Sequence, residues 1–328
     1  MQPPTVSVLI PTYQYAHYLP QAIESVLDQS FTDFELIISD DDSSDASADV
    51  IRRYAQQDRR IRFVLQSPNL GMVANWNWCL RQARGRYIKY VFGDDYLCDR
   101  NAIKRLIEMM EQKPDIRLAA SARRIVDMES APVGLWNHIG REGVYDGTDV
   151  IAQTLHRYGN LIGEPSAVMF RRADASRGFD PSFKQVVDWE FWLNLLQGGS
   201  FAYTDEPLCA FRQHSRQQSE INRLSQGATA ENARLLRSYI RYLVLTPADR
   251  QHVFNRLYQL RKKPRSYREN IEWLKVLQDS LGTTYYWYWL RRKALQPFVN
   301  VHRFWRKHVM QIPIPEAVHR TISPHQKS

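Results

Sequence analysis

The sequence is short of cysteine, of long apolar runs and of glycine after its first apolar segment, and each shortage excludes something. Three cysteines, Cys79, Cys98 and Cys209, occur in 328 residues. They form no short metal-binding spacing and cannot all pair, so a reducing compartment is expected. No stretch reaches the roughly eighteen apolar residues that a spanning helix needs. The first residues lack a basic region followed by an apolar core, so a secretory signal is not expected. Pro11-Thr12-Tyr13-Gln14-Tyr15 offers neither the glycines nor the cation of a phosphate-cradling loop, which argues against a nucleotidyltransferase.

Charge is abundant but unevenly placed. The net charge is +9, yet residues 283–328 alone hold eight Lys/Arg against the single acid Glu316. The preceding chain is close to neutral. A general nucleic-acid-binding face is therefore not expected on the main domain.

The first half alternates short apolar runs with helical spacings. Val6–Ile10, Leu36–Ser39, Ile61–Leu65 and Tyr87–Phe92 read as buried strands. Ile23, Val26 and Leu27 mark a helix after the first strand, and Val50, Ile51 and Tyr54 a helix after the second, its start offered by Ser44 or Asp45. Val73–Leu80 and the set Ile103, Leu106, Ile107 and Met110 are helical too. This rhythm predicts an α/β fold with a doubly wound, mostly parallel sheet. Further on, Val168–Phe170 and Phe201–Tyr203 read as strands, and Asp188 opens a helix that buries Phe191, Trp192, Leu195 and Leu196. From about residue 225 the chain turns helical and basic.

In such sheets ligands bind beyond the carboxyl ends of the strands. The second strand runs into Asp40-Asp41-Asp42-Ser43-Ser44-Asp45, and the fourth into Gly93-Asp94-Asp95. Adjacent carboxylates repel one another unless a cation or strong donors compensate. At that edge they suggest Mg²⁺ or Mn²⁺ bound together with phosphate oxygens. The stretch from Asp42 to Asp45 equally suits a turn that caps the next helix.

These residues stand in a recognisable order. Ser7-Val8-Leu9-Ile10-Pro11-Thr12-Tyr13 is followed by Phe34–Asp45, then by Asn69-Leu70-Gly71, Asn75-Trp76-Asn77, Ala83-Arg84-Gly85-Arg86-Tyr87-Ile88 and Phe92-Gly93-Asp94-Asp95. Together they resemble family 2 glycosyltransferases of the bacterial surface-polysaccharide type, over roughly residues 5–215. The resemblance implies a GT-A fold with a Rossmann-like nucleotide-binding half, a nucleoside-diphosphate sugar donor and inversion at the anomeric carbon. By the same resemblance Pro11, Thr12 and Tyr13 lie against the nucleoside, and Asp40 or Asp41 meets the base, where a carboxylate would accept the N3–H of uracil. Asn69 and Asn77 fall on the nucleotide side. Asp94 faces the ribose or the metal, and Asp95 binds the divalent metal that bridges the phosphates. Two departures stand out. Phe92 occupies a position where the family usually has an acid, and Ala74-Asn75-Trp76-Asn77 replaces a frequent Ala-Arg-Asn.

An inverting transfer needs a group to take the acceptor's proton. Val187-Asp188-Trp189-Glu190-Phe191-Trp192 resembles the family's Glu-Asp dipeptide and aromatic helix, which puts Asp188 in the base's place and Val187 in that of the usual Glu. Glu190 is the alternative base, and a plain helix cap the structural alternative for Asp188. Gly163-Glu164-Pro165-Ser166 resembles a segment near the acceptor. Phe211-Arg212-Gln213-His214 with Gln217, Gln218 and Ser219 resembles the stretch closing over the diphosphate; it offers Arg212 to phosphate and His214 to the metal.

The expected organisation is a catalytic domain over 1–225, with a nucleotide-sugar half at 1–115 and an acceptor half at 116–225, and a helical extension over 226–328. Tyr285-Tyr286-Trp287-Tyr288-Trp289, Arg291-Arg292-Lys293 and Phe304-Trp305-Arg306-Lys307 suit the headgroup region of an anionic membrane, or equally a packed helical subdomain. The expected partners are a UDP-sugar as favoured donor and a glycan or lipid-linked acceptor. The expected place is the cytoplasm, peripheral to the inner face of the plasma membrane. A non-catalytic nucleotide-sugar-binding subunit of the same fold is the alternative that Phe92, Trp76 and Val187 would favour.

Overall fold

The computed structural model describes residues 2–157, 159–215, 217, 228–239 and 242. The basic aromatic segment at 283–328, Ile240, Gln218 and Ser219 lie outside the described residues.

Strands β1 (Val6–Thr12) and β2 (Phe34–Asp40) are buried along their whole length. Burial on both faces is why they read as unbroken apolar runs and not as alternating patterns. β3 (Ile61–Leu65) and β4 (Tyr87–Tyr90) complete a parallel set in the order β3-β2-β1-β4. Helices α1 (Leu19–Leu27), α2 (Ser47–Gln57) and α3 (Met72–Gln82) connect them, and α4 (Ala102–Glu111) follows. α1 turns Leu19, Ala22, Ile23 and Val26 inward, as a 3.6-residue period requires. At the start of α2, Asp45 Oδ1 accepts the Ser47 N–H at 3.0 Å, one residue ahead of the N-cap position at Ala46.

Beyond β4 the sheet becomes mixed, which refines the expected mostly parallel order. β9 (Val168–Arg171) lies antiparallel to β4, and β6 (Ile116–Val126) antiparallel to β9. β10 (Ser200–Arg212) then runs parallel to β6. The short β5 (Tyr96–Leu97) and β8 (Gly143–Asp146) pair antiparallel with β10, and β7 (Pro132–Trp136) with β6. Because β9 inserts between β4 and β6, one sheet is continuous across the expected boundary at residue 115. Helices α5 (Gly147–Arg157) and α6 (Val187–Leu196) pack on each other beside it.

The strand at Phe201–Tyr203 extends much further than its apolar core, to Arg212. Register shifts flank Pro207, which lets the strand continue past a residue that cannot donate to a ladder. Described residues up to Ala228 fall in the first of two compact units, and those from Thr229 on in the second. α7 (Ala228–Tyr239) belongs to the second unit and buries Leu235, Leu236 and Tyr239. No described helix is long and apolar enough to cross a membrane.

Candidate active site

Strands β1 and β2 end side by side, with Thr12 paired to Asp40 in the parallel register. Both are buried, and Thr12 Oγ1 and Asp40 Oδ1 find no hydrogen-bond partner among the described residues. Leaving a buried polar atom unpaired costs about 1–3 kcal/mol, so two side by side at a strand end are both available to a ligand. Asp40 Oδ2 accepts the Ser43 N–H at 3.0 Å, and burial raises the Asp40 carboxyl above its ordinary range. Pro11 is buried beneath this corner, while Tyr13 at its mouth is half exposed.

Asp41 is used differently. Its two oxygens accept the N–H groups of Leu70 and Gly71 at 2.7 and 3.0 Å, and its carbonyl accepts Asn69 Nδ2 at 2.6 Å. Asn69 Oδ1 accepts the Gly71 N–H at 2.9 Å. Asp41 and Asn69 therefore hold the Asn-Leu-Gly turn to the end of β2, and Asp40 is the carboxylate with an oxygen to spare.

After β4, Gly93 backs onto β1 so closely that a Cβ there would lie 2.5 Å from Thr12 Oγ1. That approach leaves Asp94 and Asp95 buried at the strand end. Asp95 Oδ1 accepts the Arg212 N–H at 3.0 Å, and Oδ2 accepts the Ser166 hydroxyl at 2.5 Å. Among the described residues neither oxygen hydrogen-bonds to an ammonium or guanidinium. Burial, and then the charge of Asp94, raise the Asp95 carboxyl well above its usual range. Asp94 Oδ2 lies 3.1 Å from His214 Nε2, and Tyr15 also hydrogen-bonds to Asp94. The Tyr15 and Tyr18 rings pack on His214, with centroids 5.6 and 5.2 Å away. Below, Lys89 Nζ donates to the carbonyls of Tyr90 and Ser166, and burial pulls its pKa down to about 8.

Among the described residues no cluster of three or more His, Cys, Asp or Glu could hold a metal by itself. Two adjacent buried carboxylates with no cationic side chain on Asp95 nonetheless fit a divalent ion that takes its remaining ligands from phosphate and water.

The structure gives Arg212 and Asn77 roles other than those expected. Arg212 is buried, its Nε on the Asp94 carbonyl at 2.9 Å and its Nη1 3.0 Å from each of the Asp127 and Met128 carbonyls and the Ser130 hydroxyl. Nη2 reaches Gln21 Oε1 at 2.5 Å, and the guanidinium lies over the Tyr18 ring. It is a strut joining β4, β10 and the loop after β6, with its donors already committed to protein and not held for phosphate. Asn77 exchanges two 2.8 Å hydrogen bonds with the backbone of Phe179, which binds α3 to the loop before α6. Neither tie was visible in the sequence, since each spans about a hundred residues.

The two departures from the family pattern prove to touch. Phe92 and Trp76 lie with ring centroids 4.7 Å apart, and Phe179 packs on Trp76 at 5.3 Å. Phe92 thus makes an aromatic contact with Trp76 where the family pattern would have an acid.

Asp188 stands in the first turn of α6, whose N-cap is Val186, so it does not cap the helix. Asn160 Nδ2 donates to its Oδ2 at 2.9 Å. Burial, and then the nearby charge of Glu164, push the Asp188 carboxyl up to about 7. A carboxylate that titrates near neutrality is suited to accept a proton there. Glu190, the alternative base, is instead held by Arg177 in a two-point ion pair at 2.9 and 2.6 Å. Asn160 gave no signal in the sequence, for it is an isolated polar residue in a loop.

Residues 7–175 match the family model described as Glycosyl transferase family 2. The chain is a family 2 glycosyltransferase. This glycosyltransferase is 32% identical over 257 residues to MT1568, an uncharacterized protein of Mycobacterium tuberculosis (strain CDC 1551 / Oshkosh), covering 74% of this chain and 77% of that protein. It is 30% identical over 210 residues to TuaG of Bacillus subtilis (strain 168), provisionally assigned to teichuronic acid biosynthesis as a glycosyltransferase, covering 64% of this chain and 79% of TuaG. Its fold matches that of S. aureus TarS 1–349 in complex with UDP-GlcNAc, with a TM-score of 0.62 at 16% identity over 86% of this chain and 81% of the other. The fold is the GT-A fold, and the family makes this glycosyltransferase an enzyme that uses a nucleotide sugar. The non-catalytic alternative gives way.

Proposed function

We propose that the enzyme transfers one sugar from a UDP-sugar to a hydroxyl of a glycan or lipid-linked acceptor, with inversion, in bacterial surface-polysaccharide synthesis. The observation that carries this reading is the buried Asp94-Asp95 pair, placed at the same sheet edge as the idle Thr12 Oγ1 and Asp40 Oδ1. The assignment of TuaG to teichuronic acid biosynthesis and the UDP-GlcNAc bound to TarS favour this class of product and donor.

The nucleoside lies against Pro11, Thr12 and Tyr13, with Asp40 Oδ1 accepting the uracil N3–H. Asp95, with Asp94 and His214 beside it, would hold Mg²⁺ or Mn²⁺, which neutralises the departing diphosphate. Ser166 and the Arg212 N–H keep the Asp95 carboxylate facing that position. Asp188 takes the proton of the attacking acceptor hydroxyl as the new bond to the anomeric carbon forms and the bond to the diphosphate oxygen breaks. The nucleoside diphosphate then leaves from the opposite face.

The reaction belongs on the cytoplasmic side of the plasma membrane, with residues 283–328 as a peripheral contact to anionic lipid. Flotation with anionic liposomes, with and without those residues, tests that contact. Release of UDP from a panel of UDP-sugars with Mn²⁺ tests the chemistry. Full turnover by both Asp95→Ala and Asp188→Asn would refute it.

A further inference from the structure

Beside Asp188 the molecule holds a buried ion pair that the reaction described above leaves unused. Arg123 on β6 is 1% exposed and pairs through Nε with Glu164 Oε2, while the Glu164 side chain remains 21% exposed. Arg123 Nη1 is buried and has no hydrogen-bond partner among the described residues. An ion pair kept only for stability would have its spare donors satisfied, because burying a guanidinium is costly.

Three features tie this pair to the base. Gly163, with φ +126°, turns the chain immediately before Glu164, and a Cβ there would lie 3.0 Å from Arg123 Nη1. Asn160 donates both to the Gly163 carbonyl at 3.1 Å and to Asp188 Oδ2 at 2.9 Å. Trp192, on the same helix as Asp188, donates its indole N–H to that carbonyl at 2.9 Å. The Glu164 loop and the base are thus held as one piece.

A wall completes the corner. Trp136 is paired across the strands with Arg123, whose guanidinium lies over its ring at 5.2 Å. Trp136 is half-buried and continues into Phe211 and His138, at centroid distances of 5.5 and 5.9 Å. Phe211 directly precedes Arg212, whose N–H holds Asp95. The aromatic wall is therefore linked through Arg212 to Asp95, and through Arg123 and Glu164 to the loop that holds the base.

We propose that Glu164, held in place by Arg123 and walled by Trp136, is the acceptor-binding carboxylate, taking a hydroxyl of a neutral sugar next to the hydroxyl that Asp188 deprotonates. This rests on the transfer reaction proposed above. It accounts for Val187, because besides the base Asp188 α6 brings no carboxylate to the acceptor: Glu190 is tied to Arg177. It also sets the charge of the acceptor ring. A uronate would face both Glu164 and Asp188, while Arg123, the cation beside them among the described residues, is buried and already paired with Glu164. Arg123 acts as a positioning residue through Glu164.

The test uses the full chain with a UDP-sugar donor, Mn²⁺, and p-nitrophenyl glycosides of neutral hexoses and of the matching uronic acids as acceptors. Wild type is expected to prefer the neutral glycosides. Glu164→Gln, nearly isosteric and able to fold, should raise the acceptor KM by about tenfold or more as a hydroxyl loses its acceptor. Its kcat should stay within about threefold, as expected where uniform binding is what is lost. Trp136→Leu should also raise the acceptor KM, with the UDP dissociation constant moved less than about twofold in both variants. An unchanged acceptor KM in Glu164→Gln, or a wild-type preference for uronides, overturns the proposal. Donor hydrolysis without transfer to any neutral glycoside overturns this inference alone, whereas no hydrolysis and no transfer overturns the proposed reaction with it.

Discussion

The Ser166 hydroxyl donates to Asp95 Oδ2 at 2.5 Å while accepting the Phe92 N–H at 3.1 Å. A residue from the acceptor side of the sequence thereby fixes the carboxylate at the end of β4, and Lys89 fixes Ser166 in turn through its carbonyl. A carboxylate free to rotate would meet a cation in the wrong geometry for part of the time. Ser166→Ala is expected to lower kcat about tenfold and to raise the Mn²⁺ concentration needed for half-maximal rate, since one orienting bond beyond the ligand is lost. Asp95→Asn should lose turnover by about a thousandfold or more. Initial rates across a Mn²⁺ titration check both.

Asp188 predicts the acid side of the pH profile. With its pKa pushed up to about 7, the base is protonated below neutrality and ionised above it. Under saturating donor, kcat/KM for the acceptor should therefore fall as pH drops through about 7, and not at the pH near 4 expected of an ordinary aspartate. A profile still flat at pH 5.5 would remove Asp188 from the base's role.

The same carboxyl makes a prediction about stability with the opposite benefit. Its folded pKa of about 7 lies above the ordinary value of 3.8, so the folded state binds the proton more tightly than the unfolded state. Stability is then lost as pH rises between those two values, and above neutrality the ionised group weighs against the fold. Asp188→Asn should stabilise the protein by roughly 2 kcal/mol at pH 8 and by nothing at pH 4, while abolishing transfer. Denaturation of both proteins at the two pH values decides it.

Arg212 should behave as a structural residue. Its buried guanidinium joins Asp94, Asp127, Met128, Ser130 and Gln21, and Arg212→Met removes all five of those side-chain hydrogen bonds. A loss of about 3 kcal/mol is expected in urea denaturation. A stable Arg212→Met protein whose only defect is weaker UDP binding would reverse the assignment.

The sheet edge was legible because β1, β2 and β4 are buried on both faces, so each reads as an apolar run that ends where the ligand-facing residues begin. Asp40, Asp94, Asp95 and Asp188 could be picked out for that reason and by their family positions. β6 was not legible. Its sequence, Ile116 to Val126, is rich in alanine and arginine, and it buries Arg123 where a strand pattern would call for an apolar side chain. The ties made by Ser166, Asn160, Asn77 and Arg212 were hidden as well. Each depends on a partner distant in the chain, and a single serine or asparagine carries no periodicity that could announce it.

The position of β9 has a consequence for how the protein is made. Residues 2–111 contain the four parallel strands and α1 to α4, and they leave the ribosome first. Their sheet nevertheless ends in β4 with an open edge, because the strand that covers it comes only at Val168–Arg171. β6 waits for the same partner. A nascent chain released or stalled before that point would expose two unpaired edges, each a template for pairing with another chain. Truncations that remove β9 should therefore yield aggregates and not a soluble nucleotide-binding fragment.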